Sequence, residues 1–156
     1  MNDASNADHD DRVQALGDQL VKVHNILRGE LNSLRTALDT AQGEPSPPPR
    51  PLEEQLRKKC LSFCTFLHGH HTAEDEHMLP GLAASHPELT PVLERLTREH
   101  GVISTSLDQI AKLVENGDPA RIRGDVERLA TEVEAHLDYE EKQIVEALNS
   151  YGPVEI

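Results

Sequence analysis

Four apolar stripes at helical spacing, each broken near its middle by a histidine, constrain this 156-residue chain more than any other feature. The first runs Val13, Leu16, Leu20, His24, Leu27, Leu31, Leu34, Leu38, and the second Leu56, Cys60, Phe63, Leu67, His70, Glu74, His77. Leu93, Leu96, His100, Ile103, Leu107, Ile110 and Val114 form the third. Ile122, Val126, Leu129, Val133, His136, Glu140, Ile144 and Ala147 form the fourth. Steps of three and four place each set on one buried helix face. Nothing alternates with period two over a strand's length, so no sheet is expected in residues 12–149. Four long helices with short later connections predict an all-α fold, an antiparallel up-down-up-down four-helix bundle.

Punctuation divides the chain. Residues 1–10 are Asn/Asp-rich and predicted disordered, residues 11–149 are the bundle, and residues 150–156 form a tail. The first helix is expected to begin at Val13 and to end at Gly43-Glu44-Pro45-Ser46-Pro47-Pro48-Pro49-Arg50-Pro51, a stiff extended connection. A second runs from about Leu52 to Ala83, with Pro80-Gly81 marking its last turn, and His86-Pro87-Glu88-Leu89 turns into the third. Asn116-Gly117-Asp118-Pro119 stops the third and caps the fourth, with Asp118 as N-cap and Pro119 at the first helical position. A chain of this length buries roughly 70% of its unfolded surface, enough for a core without staples.

A net charge of −13 argues against nucleic acid and anionic membrane as partners. The acids are spread along the chain, as solubility alone would require. Two cysteines, Cys60 and Cys64, share one predicted helix, where they read as core; their scarcity fits a reducing cytoplasm. The N-terminus has no apolar run, so neither a signal peptide nor a membrane span is expected. Aromatics make up only 3% and Trp is absent, so a flat ligand stacked between rings is not the expected substrate.

The polar interruptions carry the chemistry. Two stripes follow histidine with glutamate four residues later, His70 with Glu74 and His136 with Glu140. Counting from the connections at about 1.5 Å per residue brings His24, His70, Glu74, His100, His136 and Glu140 within about two turns of one level. One histidine alone reads as a satisfied core residue. Six polar groups in one layer would leave several unpaired, each at about 1–3 kcal/mol, unless a cation compensates them. No inward thiolate lies at this depth and no H-E-x-x-H motif occurs, so a structural zinc site of Cys/His type is not supported, and four imidazoles with two carboxylates are too many for one tetrahedral zinc. The donor set suits two octahedral-preferring ions sharing carboxylates, iron ahead of manganese. His77 continues the inward stripe, as a supporting donor, a replacement ligand or a structural residue. His71, at the stripe's edge, and His68 are expected at the surface. Tyr139 neighbours Glu140 without sharing its direction.

His24, His70-x-x-x-Glu74, His100 and His136-x-x-x-Glu140, with the segments HHTAED and HLDYEE, resemble the hemerythrin-like (HHE cation-binding) family over about residues 12–149. The resemblance implies a non-haem di-iron centre in a four-helix bundle. The four histidines would be terminal ligands, and Glu74 and Glu140 would bridge the irons with an oxo or hydroxo group. Oxygen-carrying hemerythrins place two histidines a turn apart on the third helix and a carboxylate five residues after the histidine on the fourth. Here Ser104 follows His100, and Glu140 keeps the four-residue spacing. One ligand fewer would favour reaction with peroxide, nitric oxide or oxygen over reversible carriage. A non-catalytic sensor or store of oxygen, nitric oxide or iron is the second reading, and a biosynthetic oxygenase the third.

Overall fold

The computed structural model describes residues 13–43, 54–116, 118–150 and 153–155. Expectations for residues 1–10 and for the Pro-rich connection at 44–51 lie outside the described residues. A short strand β1 (Val13–Ala15) leads into α1 (Leu16–Gly43). Then come α2 (Glu54–Ala73), a π-helical turn (Glu74–Met78) and α3 (Leu79–Ser85), continuous with one another and together forming the second predicted helix. A 3-10 turn (Pro87–Leu89) precedes α4 (Thr90–Asn116), and α5 (Pro119–Asn149) ends shortly before β2 (Pro153–Glu155). The Asp118 side chain accepts from Ala120 N–H at 3.2 Å, and Pro119 stands at the first helical position, as expected of that cap.

Two expectations need correction. The first helix starts at Leu16, because Val13–Ala15 pairs antiparallel with Pro153–Glu155. The expectation of no sheet in residues 12–149 fails for these three residues. A pair of three residues a side is too short to show a period-two signature.

Side-chain links between the long helices run in opposite numerical order. Between α1 and α5, Arg28 meets Asp138 at 3.0 Å, Arg35 meets Glu127 at 2.9 Å, and Asp39 meets Arg123. Lys59 of α2 donates to Ser33 of α1 at 2.5 Å, while His70 lies against His24. Arg57 reaches Glu115 of α4, and Ser106 of α4 donates to Glu132 of α5. Partner numbers fall along one helix as they rise along the other.

The core is two apolar clusters. One gathers Leu27, Leu31, Leu34, Leu38, Cys60, Leu67, Ile103, Leu107, Val133 and Leu137 with their neighbours. The other holds Leu20, Leu79, Leu82, Leu93, Leu96, Ile144 and Leu148. Cys60 and Cys64 are buried free thiols, as their core reading requires. Among the described residues no helix is long and apolar enough to cross a membrane.

Gly17 lets α1 approach α5 closely: a methyl group there would lie 2.5 Å from the Val145 carbonyl oxygen. Gly29 has nothing within 4 Å of the same position. Gly17→Ala should therefore destabilise the protein by roughly 1–3 kcal/mol, the cost of overpacking. Gly29→Ala should stabilise it by about 0.5–1 kcal/mol through helix propensity. Urea unfolding of both variants checks the pair, and equal midpoints would contradict this packing.

Candidate metal centre

Between the two apolar clusters lies a polar layer. On α1, His24 sits between Leu20 and Leu27; on α4, His100 sits between Leu96 and Ile103. On α5, His136 and Glu140 precede Ile144, and on the second helix His70, His71 and Glu74 separate Leu67 from Leu79. The helices α1, α4 and α5 keep their inward face through this level and change only the chemistry carried on it.

All six residues expected from the stripes meet here. His24, Glu74, His100, His136 and Glu140 are buried, and the His70 side chain is 13% exposed. The two oxygens of each glutamate face different ways. Glu74 Oε2 lies 3.1 Å from His70 Nε2 and 3.9 Å from His24 Nε2, whereas its Oε1 lies 3.1 Å from His100 Nε2. Glu140 Oε1 lies 3.6 Å from His24 Nε2, and its Oε2 lies 3.2 Å from His136 Nε2 and 3.8 Å from His100 Nε2. These approaches form no hydrogen bonds: the inward Nε2 atoms and both oxygens of each glutamate are buried without a hydrogen-bond partner.

His71 corrects the expectation of a surface residue. It is 4% exposed, its ring stacks on His100 at 4.0 Å between centroids, and its Nε2 joins the unsatisfied set. The donors separate into two groups that share Glu74: His71, Glu74, His100 and His136, and His24, His70, Glu74 and Glu140. The signal was present in the sequence. Cys60, Cys64, Leu67, His71 and Glu74 also step by four and three, a second inward row beside the one that runs through Phe63 and His70. A helix face wide enough for both rows sends neighbouring histidines to opposite halves of the site.

His77 does not extend the layer; its side chain is 80% exposed. The π turn explains why. Leu79 N–H bonds to Glu74 C=O, one residue further back than in an α-helix, and the extra residue rotates His77 outward. Leu79 and Leu82 return to the core in its place. Pro80 supplies the local cause, since its ring would clash with the carbonyl four residues back in a regular turn. Tyr139 also stands apart from the donors, with the Arg95 guanidinium 3.8 Å from its ring centroid.

Three imidazoles are oriented from behind. His24 Nδ1 donates to Glu141 Oε2 at 2.8 Å, His100 Nδ1 to Asp75 Oδ1 at 2.7 Å, and His136 Nδ1 to Glu99 Oε1 at 2.8 Å. In the neutral imidazole a proton on Nδ1 leaves Nε2, the inward atom, as the lone-pair donor, the usual second tier of a metal site. Arg28 holds Glu141 at 2.7 Å and Arg95 holds Glu99 at 3.0 Å.

Without a cation, protons compensate the carboxylates. Burial pushes His24 down, but Glu140, Glu74 and Glu141 outweigh it and raise its pKa from 6.5 to about 9. Burial is likewise outweighed at His100 by Glu140, Glu74 and Asp75, which raise it to about 10. Burial and the neighbouring His100, His136 and His70 lower His71 to about 2. Glu140 is held well below the ordinary carboxylate range: burial opposes its ionisation, yet Glu74, His100, His136 and His24 prevail.

The donor set fits metal ions. Bonds of about 2.1 Å place adjacent donors of one octahedral ion about 3 Å apart and opposite donors about 4 Å apart. The donor atoms within each group all lie within 4.8 Å of one another. Metal must displace the protons on His24 and His100, whose raised values keep them charged at pH 7.5. Loading the metal-free protein at pH 7.5 should therefore release about two protons per chain. Their attraction to the carboxylates stabilises the metal-free fold in full below pH 6.5 and is lost as pH rises through about 9 to 10. Indicator-dye titration in weak buffer measures the first, and chemical unfolding between pH 6.5 and 10 the second. Loading without proton release would contradict the protonated pair.

No curated protein and no solved structure matches the chain. The sequence profile of the hemerythrin HHE cation binding domain matches residues 16–148, which span every helix that supplies a donor. The chain belongs to the hemerythrin HHE cation-binding domain family.

Proposed function

We propose that this protein is a non-haem di-iron protein, with Glu74 and Glu140 shared between two irons, that binds and reacts with dioxygen, hydrogen peroxide or nitric oxide. Its helices form an antiparallel up-down-up-down bundle, a reading supported by the opposed order of the links between them. One observation carries the two-ion reading: each glutamate turns one oxygen to the His24 half and the other to the half containing His100. Imidazole and carboxylate donors without thiolate favour iron, with manganese behind it.

Bound iron would supply Lewis acidity and redox capacity. The chain's own residues do the rest. Glu141, Asp75 and Glu99 hold three imidazoles in the tautomer whose Nε2 points inward. The two apolar clusters exclude bulk water from either side of the layer. Of the seven donor side chains only His70 is partly exposed, so the His24–His70 half is where a small molecule arrives.

His71 also changes the weight given to Ser104. Without it the site is one imidazole short of an oxygen carrier; with it, five imidazoles face the centre. That count favours a second reading, reversible binding of oxygen or nitric oxide as a carrier, sensor or store.

About two irons per chain should be retained after loading, and His71→Ala should lower that content while His77→Ala leaves it unchanged. Loading should raise the melting temperature of wild type, because metal binds the folded state. Elemental analysis and thermal melts check both statements. Stopped-flow mixing of the ferrous protein with oxygen or peroxide then separates the readings. Rapid irreversible oxidation supports reaction, and a stable adduct that releases oxygen under vacuum would make the protein a carrier. One tightly held zinc, indifferent to His71→Ala, would defeat the di-iron reading.

A further inference from the structure

Both phenylalanines of the chain line one cleft. Phe63 and Phe66 of α2 and Ile26 of α1 form its apolar surface, with Glu30, Lys59 and Ser62 beside them, enclosing about 340 Å³. Phe66 is 49% exposed and Ile26 55%, and among the described residues Val102 is the only other large hydrophobic side chain so exposed. Two of the three large hydrophobic side chains exposed among the described residues thus flank one hollow. Phe63 is buried and belongs to the larger apolar cluster, so the floor of the cleft is rigid core.

Position gives the cleft its interest. Phe66 lies one helical turn, about 6 Å, before His70, and Ile26 lies two residues after His24. Phe66 shares a helix face with His70, the exposed donor, so the cleft begins one turn from that half of the centre, whereas Ile26 points outward, away from the buried His24. Its volume is far more than a diatomic needs, since even a water claims only about 30 Å³, and it falls within the usual size of small-molecule sites. A protein partner is disfavoured by extent: such interfaces bury about 800 Å² and involve roughly 20–30 residues a side, against two exposed apolar side chains here.

We propose that the cleft between α1 and α2 binds a small neutral aromatic molecule bearing a hydroxyl group, beside the His24–His70 half of the centre. The scarcity of aromatics argued against a flat ligand, but both phenylalanines meet here: Phe66 and Ile26 flank the ring, Phe63 supports it, and Ser62, Glu30 and Lys59 offer hydrogen-bonding groups for the hydroxyl. Lys59 is already held by Ser33 at 2.5 Å, so it stands as a positioned donor. Binding itself needs only the cleft. Its bearing on the centre rests on the di-iron reading proposed above.

2-Naphthol is a suitable probe, titrated calorimetrically into the full chain with and without iron. One saturable site per chain is expected, weakened at least tenfold by Phe66→Glu and unchanged by Val102→Glu, with circular dichroism confirming the fold of each variant. Phe66→Leu should retain most of the binding. In the iron-loaded protein, saturation should also shift the metal's optical spectrum. Iron content measured on the same samples tests the di-iron reading separately, since binding to metal-free protein supports the cleft by itself. Unsaturable uptake, or equal binding by Phe66→Glu, would overturn the proposal. A wild-type dimer that Phe66→Glu dissociates would do the same, because it would make a second copy the occupant.

Discussion

A buried layer of charge and imidazole, set between two apolar clusters, is the constraint on which the rest of this fold depends. Five Nε2 atoms and four carboxylate oxygens lie there without hydrogen-bond partners. At about 1–3 kcal/mol for each unsatisfied group, the layer by itself would consume a stability that totals only about 5–15 kcal/mol in ordinary domains. The metal-free chain eases the cost with protons on His24 and His100, and Glu141, Asp75 and Glu99 satisfy the outer nitrogens. A cation removes it at the source. Folding and metal binding are therefore one thermodynamic problem here.

The supporting carboxylates are not equivalent. Glu141 and Glu99 are each anchored by an arginine, Arg28 and Arg95, and Arg95 also covers Tyr139. Asp75 follows Glu74 directly in the π turn, so one distorted turn supplies both the shared carboxylate and the group that orients His100. A regular helix would separate those two directions by about 100°, and the wider π turn narrows that angle so that both reach the same imidazole. The irregularity belongs to the site's construction, and Pro80 holds it in place from the next turn.

Much of this was legible beforehand because helical burial is periodic. The stripes through Leu20, His24 and Leu27 on one helix, and through Val133, His136 and Glu140 on another, place donors inward whatever the neighbouring helices do. The Asp118-Pro119 cap is equally local. His71 and His77 escaped for opposite reasons. His71 lies on a second row of the same face, and single-row counting cannot show how wide a face the bundle will cover. His77 fits the α-helical period but lies within a turn that is not α-helical, so its phase slips by one residue. The pairing of Val13–Ala15 with Pro153–Glu155 joins segments far apart in sequence and too short to show any period.

By itself the sequence determined four amphipathic helices and one level at which each trades leucine for imidazole or carboxylate, because spacing along a helix follows from backbone geometry alone. Only the tertiary structure decided how those donors divide. Which glutamate oxygen faces which half, which imidazole stacks on which, and which donor stays exposed depend on rotation and approach of packed helices. Those quantities are set by contacts between segments distant in the chain, and no pattern within one helix records them.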